Sequence, residues 1–442
     1  MKGLCSKGKS GLPNNDAENG MNLNHLNWGH LLGGTAALIL PLSLYAPKGL
    51  APLFIILAAA AIGFSLFHKN RKPVSLPGRG LLVLILALPV LGAVSALWSP
   101  SPMSSLKSAL IIGGFFLAGL LIIKLSLALE DRERHFIGKS IIVGGLIGYG
   151  LLIIEQATNA GLTRFLQELV GRLIEDRMDY TLPFNQGMSI AVLYLWPFGV
   201  TLFQRLPFRF ALPILAVCAV SIFLSQAEAP FFALIVGSIV MILVRLLTPI
   251  MPKALMLAVV IGVLIAPMIP SMLPDPRTES PSLTTYSNST IHRFIIWHTA
   301  QEYIFKKPLL GGGLNSTRFL YSKKDRVAYR VDNPETGLAW GVFSEPIPLH
   351  PHNAILQVWM ELGLLGAVWF AVFLVTVLNQ LRLLVLPRLE TAACFAFFTS
   401  ALTIESISYG AWQSWWLSGL WLSSALVVST LSLGRTGEAS TA

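Results

Sequence analysis

Apolar runs of about 17 to 25 residues, each long enough to cross a hydrocarbon core of roughly 30 Å as a helix, recur along this chain with short polar breaks between them. Twelve are legible, at 27–46, 49–67, 80–98, 108–128, 138–156, 187–204, 209–225, 229–247, 252–273, 353–378, 389–407 and 413–433. Two breaks are long, 157–186 and 274–352. The pattern predicts an all-α polytopic membrane protein of about 12 transmembrane helices, with a large loop between helices 9 and 10.

Composition agrees: 54% of the 442 residues are hydrophobic and 12% charged, well above the apolar share and half the charge of an ordinary soluble domain. Short cytoplasmic loops retain Lys and Arg, and here the basic residues alternate between sides. One set of breaks holds Lys2, Lys7 and Lys9, then Lys69, Arg71, Lys72 and Arg79, then Arg132, Arg134 and Lys139. It continues through Arg205, Arg209, Arg245, Lys253, Arg382, Arg388 and Arg435, while the opposite short loops carry Lys48 and Lys107. Both termini are thus expected in the cytoplasm and both long loops outside. The net charge of +10 reflects this topology plus a basic outer loop and does not point to nucleic acid. Cys5, Cys218 and Cys394 have neither disulfide nor zinc spacing. Residues 1–26 are polar, with no apolar core before Trp28, so they read as a disordered cytoplasmic tail with no cleavable signal. Residues 434–442 read as a second tail, and 27–273 and 353–433 as the two membrane blocks.

Within the first long loop, Leu162, Phe165, Leu166, Leu169, Val170, Leu173 and Ile174 recur at helical spacing, opposite Arg164, Gln167, Glu168, Arg172 and Glu175. This predicts an amphipathic helix over 162–176, lying on the membrane surface or packed on the bundle. The second loop opens with the Pro-rich stretch 268–281 and a polar run, 284–290, able to cap a helix over 291–307. On that helix Arg293 and Trp297 are one turn apart and share a face. Gly311-Gly312-Gly313 after Pro308 gives a turn where backbone can come close to a ligand. Arg318, Lys323, Lys324, Arg326 and Arg330 make the remainder basic.

The chemistry concentrates at His350-Pro351-His352-Asn353, which runs straight into the tenth apolar segment. A histidine at the water boundary can move protons near neutral pH, and polar groups at such a place default to a functional hypothesis. Asn353, Gln357 and Glu361 fall at i, i+4 and i+8, a polar stripe expected to face a cavity or the bundle interior. Gly363 and Gly366 would let a neighbouring helix approach. His350 and His352 lack a third metal ligand nearby, so an acid–base role fits better, and no metal or other cofactor is called for.

These residues are similar to the signature of the O-antigen ligase and O-antigen polymerase superfamily of membrane glycan transferases. The resemblance rests on His352-Asn353-Ala354-Ile355-Leu356-Gln357 with Glu361-Leu362-Gly363-Leu364-Leu365-Gly366, and on Arg293 and Trp297 with Pro308-Leu309-Leu310-Gly311-Gly312-Gly313. Asn185-Gln186-Gly187 and Trp196-Pro197 add a looser likeness. It implies metal-independent transfer of a glycan from undecaprenyl diphosphate to the lipid A core of lipopolysaccharide, at the periplasmic face of the bacterial inner membrane. Under it the loop 274–352 is a periplasmic catalytic loop, His352 corresponds to the essential histidine, acting as general base, and Arg293 to a loop arginine that binds diphosphate. Candidate substrate contacts are Glu228, His350, Asn353, Gln357, Trp297, Arg330 and Arg177. One departure stands out: where the family often has Ser-Arg, this chain reads Ser225-Gln226-Ala227-Glu228. Either Arg293 and a second base such as Arg177 or Arg330 hold the leaving group, or Glu228 positions Arg293 or a sugar hydroxyl. Polymerisation of O-antigen or exopolysaccharide is the alternative reaction. Transport of a lipid-linked sugar is the alternative of another class, suggested by the Pro-interrupted segments at Pro89, Pro197 and Pro267; clustering of polarity at the outer boundary rather than mid-membrane favours catalysis.

Overall fold

The computed structural model describes residues 27–67, 79–169, 171, 184–225, 227–278, 286, 288–322, 324–330, 340–343 and 345–432. Among them the chain forms fourteen α-helices: α1 (Trp28–Tyr45), α2 (Leu50–Phe67), α3 (Arg79–Val94), α4 (Pro102–Leu127), α5 (Asp131–Ala157), α6 (Gly161–Leu169), α7 (Asn185–Arg205), α8 (Phe208–Leu224), α9 (Glu228–Leu247), α10 (Ile250–Ile265), α11 (Asn288–Lys306), α12 (Ala354–Leu383), α13 (Arg388–Ile407) and α14 (Ser414–Thr430). A short antiparallel hairpin pairs β1 (Val327–Arg330) with β2 (Trp340–Phe343), Val327 facing Phe343 and Arg330 facing Trp340. Every apolar run read from the sequence falls on a helix, the ninth being α10 continued by a Pro-containing 3-10 turn, Ala266–Met272. Eight helical segments among the described residues are long and apolar enough to cross a membrane. The chain is an all-α, multi-pass membrane protein. α8 and α14, 17 residues each, and α1 and α13 are helical at the expected places but lie outside that set of eight. Both polar termini expected to be tails fall outside the described residues.

Burial explains the differences in apolarity. Buried residues fill 89% of the membrane window of α7, against 28–50% for the other seven spans. α7 is also the least apolar of them, since a helix surrounded by protein does not need lipid-soluble faces. Tyr194 at its middle donates to the carbonyl of Ala36 (2.8 Å) and is within hydrogen-bond distance of that of Ile141 (2.9 Å), tying α7 to both α1 and α5. Those two pack closely because Gly144 lacks a side chain: a Cβ there would sit 2.7 Å from Cα of Ala37. By contrast α2, α3, α4, α8, α9 and α10 present rows of exposed Leu, Ile and Val outward, the surface a hydrocarbon solvent covers. The short α6 leaves Phe165 and Leu169 exposed, so its apolar side is not covered by the bundle; the expected continuation to 176 lies outside the described residues.

At the end of the bundle away from the 274–352 loop, Arg134 on α5 closes two helix termini at once. Its Nη1 donates to the carbonyls of Val428, Ser429 and Leu431, its Nη2 to Leu127 and its Nε to Leu129. These carbonyls lie at or just past the ends of α4 and α14, where helical partners run out.

The feature that positions the opposite end is a break in α12. The sequence reading treats Gly363 as a small residue admitting a neighbouring helix; instead its backbone leaves the helix altogether, at φ 61°, ψ −154°, a region essentially restricted to glycine. What approaches is not a helix but the turn 308–313. The freed carbonyls of Met360 and Glu361 accept from the N–H groups of Gly312 (2.8 Å) and Gly313 (2.7 Å). The freed N–H groups of Leu364 and Leu365 donate to the carbonyls of Pro308 (2.8 Å) and Leu309 (3.3 Å). Two helical hydrogen bonds, from Leu364 to Met360 and from Leu365 to Glu361, are exchanged for four tertiary ones, so the loop is stitched into the helix and each freed group finds a partner. A Cβ on Gly363 would lie 2.4 Å from the carbonyl carbon of Leu309. Gly363→Ala should therefore cost roughly 3 kcal/mol or more. Thermal unfolding in detergent would show a clearly lowered midpoint, and an unchanged midpoint would mean that the turn can move aside.

Candidate functional site

Glu361 occupies the junction just described. It is fully buried, and each of its oxygens accepts two bonds. Oε1 takes Nε2 of Gln357 and Oγ1 of Thr317, both at 2.9 Å; Oε2 takes the backbone N–H of Asn315 at 2.6 Å and Nε1 of Trp412 at 2.7 Å. Four donors converging on one carboxyl is the bonding pattern of a carboxylate. The donors come from the turn after the glycine triplet, from α12 and from the α13–α14 connection, so one side chain ties three segments together. Gln357 extends the tie: its Oε1 accepts from the N–H of Ala411 (2.9 Å). The polar stripe of α12 does face the interior, and it is spent on these contacts.

One helical turn above, Asn353 is the N-cap of α12, its side chain accepting from the N–H of Leu356 at 3.0 Å. His352 precedes the cap, and its left-handed backbone, φ 52°, turns the chain sharply into the helix. Three bonds hold that turn. The N–H of His352 points to Nδ1 of His350 (3.2 Å), Nδ1 of His352 lies 2.8 Å from the carbonyl of Ser408, and Nε1 of Trp297 donates to the carbonyl of Pro351 (3.0 Å). Ser408 is the C-cap of α13, so its carbonyl is free of helical bonding. A carbonyl only accepts, which puts the proton of a neutral His352 on Nδ1 and the lone pair on Nε2. Among the described residues nothing bonds Nε2.

The two rings stand 4.4 Å apart, and both are held neutral. Burial, then the His352 ring and Arg318, push His350 down to about 3. Its Nε2 lies 2.7 Å from the amide nitrogen of Gln413, so with the N–H of His352 at the other nitrogen a doubly protonated ring would face donors on both sides. Gly410 allows this packing, since a Cβ there would be 2.8 Å from Cγ of His350. Burial also lowers His352, opposed by the Ser408 carbonyl and reinforced by Arg293 and His292. His292 is itself lowered, by burial first and then by Arg293, with the backbone at Glu345 acting the other way.

Arg293 supplies the fixed positive charge. Its Nη1 pairs with Oε2 of Glu228 at 3.1 Å, and Thr290 donates to the same oxygen at 3.4 Å. Glu228 is the first residue of α9, where the helix dipole favours an anion. The departure from the family pattern at this position therefore has a structural partner: the acid holds the loop arginine. Arg293 and Trp297 share one face of α11 and reach α9 and the His350–Asn353 segment respectively. Only Nη1 is committed among the described residues, leaving guanidinium donors for an oxyanion.

His352, Arg293, Glu228, His350, Trp297, Asn353 and Gln357 thus gather at one end of the bundle. Arg330 lies in β1 and Arg177 outside the described residues. Sequence reasoning passed over the connection 408–413. Its Ser408 orients His352, and its Gln413 meets His350. Its Tyr409 hydroxyl is 2.9 Å from Oγ of Ser189 and donates to the Asn185 carbonyl at 3.2 Å, closing the far wall with α7. The available signal was a short polar, aromatic interruption between two apolar runs, Ser408-Tyr409-Gly410-Ala411-Trp412-Gln413. Among the described residues no three His, Cys, Asp or Glu side chains gather as a metal cluster would.

Replacing one carboxylate oxygen by an amide in Glu361→Gln would aim an N–H₂ at two donors. We expect a loss of roughly 3 kcal/mol, read as a lowered unfolding midpoint in detergent; wild-type stability would show that the junction tolerates an unmatched donor.

Residues 213–371 match the family model described as O-antigen ligase, a segment running from α8 into α12 and including Glu228, Arg293, His350, His352, Glu361 and Gly363. Over longer stretches the chain is similar to proteins provisionally named polysaccharide ligases. One, from Rickettsia felis, is 28% identical over 330 residues, 74% of this chain and 75% of that protein. Another, from Rickettsia prowazekii, is 29% identical over 297 residues, 67% and 68% respectively. A third, from Rickettsia bellii, is 28% identical over 331 residues, 74% and 75%.

Proposed function

From the match of residues 213–371 to the O-antigen ligase family model and the likeness to polysaccharide ligases, we propose that this chain is a member of the O-antigen ligase superfamily and moves a glycan from undecaprenyl diphosphate to the lipid A core of lipopolysaccharide. The reaction takes place at the periplasmic face of the bacterial inner membrane. The side carrying the loop 274–352 faces outward in this reading, in keeping with the basic residues gathered in the opposite set of breaks.

The observation that carries the proposal is the fixed tautomer of His352. With Nδ1–H given to Ser408, Nε2 accepts the proton of the acceptor hydroxyl as that oxygen bonds to the anomeric carbon. The bond from the anomeric carbon to the diphosphate oxygen breaks, and undecaprenyl diphosphate departs with the electron pair. The donors of Arg293 not engaged by Glu228 pair with the diphosphate as its charge grows. Glu228 keeps the guanidinium aimed and does not compete with a doubly charged phosphate for all of it. His350 is a backstop that remains neutral and holds the His352 backbone. No metal is needed in this scheme, since Arg293 supplies the positive charge and His352 the base.

We expect His352→Ala to lower the transfer rate by roughly 10²- to 10⁴-fold and Arg293→Ala by roughly 10²- to 10³-fold in a membrane assay with lipid-linked glycan, while a chelator leaves the wild-type rate unchanged. The pH sign follows from burial. A histidine lowered from its ordinary 6.5 stays an unprotonated base until the pH falls through its own lower value, so kcat/KM should hold through pH 6.5 and fall below it. Full activity in both variants, or an acid limb above 6.5, would overturn the site assignment. In cells, core lipopolysaccharide bearing one repeat unit when the protein is removed would indicate polymerisation; bare core would indicate ligation.

A further inference from the structure

At the end of the bundle away from the 274–352 loop, beside the termini that Arg134 closes, a polar cavity of about 360 Å³ lies between α5, α7 and α14. Most of its polar lining is spent on the protein itself. Arg134 covers the carbonyls of Val428, Ser429 and Leu431, and Nε2 of Gln204 donates to the carbonyl of Thr430 and to Oε1 of Glu390, both at 3.0 Å. Ser432 gives its N–H and its hydroxyl to Glu390 as well, while Thr201 and Thr430 donate to carbonyls of their own helices. The helix-end carbonyls that would repel an anion are thereby covered. Arg205, the last residue of α7, is the exception. Its Nη2 donates to the carbonyl of His135 at 2.7 Å and rests on Gly138, where a Cβ would sit 2.4 Å from it. That is one of five guanidinium N–H groups, and among the described residues the others bond nothing. Whichever hydrogen of Nη2 is used, one two-pronged edge of the fork stays open. The His135 ring and Asp131, the carboxylate in the lining, are both exposed.

An open guanidinium edge in a polar cavity suits an oxyanion that takes two N–H groups at once, as a phosphate does. The surroundings of Arg205 indicate which phosphate. The chain passes from it into α8 through Phe208 and Phe210, 66% and 54% exposed, and the guanidinium of Arg209 between them lies 5.0 Å from the centre of the Phe210 ring. Exposed rings beside a cation suit the border between hydrocarbon and water. From that border exposed Leu212, Val217 and Val220 continue along α8, and Val143, Leu146 and Ile147 along α5. A phosphate at Arg205 therefore has apolar outer surface beneath it on two helices, where acyl chains can lie. Lys139, exposed one turn from His135 on α5, adds a cation nearby, and basic pockets between membrane helices take anionic head groups. We infer that the cavity binds the phosphodiester of an anionic membrane lipid such as phosphatidylglycerol, held by the open edge of Arg205 with His135 at its side. The bound lipid joins α5 to α7 at the end that Arg134 closes, independently of glycan transfer.

The test titrates the purified full-length protein, in neutral detergent, with phosphatidylglycerol and with phosphatidylcholine of the same acyl chains, and reads bound lipid by native mass spectrometry. Choline would bring its own cation among those of the cavity, so the wild type should bind phosphatidylglycerol tighter by roughly tenfold or more. Arg205→Gln should abolish that preference. His135→Glu reaches the same site without disturbing its frame, because the carbonyl that holds Arg205 belongs to the backbone and the ring is exposed. Its carboxylate would compete with the phosphate for the guanidinium, so the preference should be lost there too, and this variant decides alone should Arg205→Gln fail to fold. Lys253→Gln, which removes an exposed charge on α10 at the same end, should keep the preference. A preference intact in either cavity variant, or lost equally in Lys253→Gln, would overturn the site. Inorganic phosphate that displaces phosphatidylglycerol at concentrations matching the lipid would overturn the lipid as occupant in favour of a soluble anion.

Discussion

The site end of this protein depends on an exchange of backbone hydrogen bonds. Opening α12 at Gly363 exposes two carbonyls and two N–H groups inside an apolar bundle, where an unpaired backbone group costs several kcal/mol. Only a partner with complementary groups at matching spacing can close that break, and residues 308–313 provide one. Non-helical backbone at this depth is tolerated because it is buried in protein. Once the loop is locked there, the upper segment of α12 has a fixed direction, Glu361 sits beside Asn315 and Thr317, and the cap at Asn353 and the turn at His352 follow.

The histidine pair illustrates how helix ends are used chemically. His352 lies between the N-terminus of α12 and the C-terminus of α13, one end rich in donors and the other in acceptors. The acceptor end takes Nδ1–H, and the ring is thereby oriented without a carboxylate partner. A carboxylate at that place would stabilise the imidazolium and raise its affinity for the proton. A neutral carbonyl fixes the tautomer with less effect, and burial beside Arg293 keeps the ring in its base form. The charge in the vicinity is kept apart, in the pair of Arg293 with Glu228.

What the sequence made legible was set by local periodicity. The apolar runs, the helix carrying Arg293 and Trp297, and the inward polar stripe of α12 each follow from spacing along one segment, and each appears in the structure. The break at Gly363 was not legible, because a glycine within an apolar run reads equally as a packing contact, and the deciding partner lies some fifty positions earlier. The connection 408–413 was missed for a related reason: Ser408 contributes a backbone carbonyl, and any residue has one. Glu228 was noticed only as a departure from a pattern, and its bond to Arg293 joins positions 65 apart in the chain. Residues acting through main-chain atoms or distant partners leave little trace in composition or spacing.

Arg134 has a history as well as a place. During synthesis, a basic residue next to an emerging apolar segment biases the direction in which that segment inserts, and for that purpose any lasting cation is equivalent. In the finished molecule the same guanidinium is no longer a solvated charge, because its nitrogens are shared among five carbonyls at the ends of α4 and α14. A lysine could give the first instruction but, with three donors on a single point, could not complete the second. The fork can therefore be filled only in the packed bundle, because three of its acceptors belong to the end of α14, the last helix in the chain.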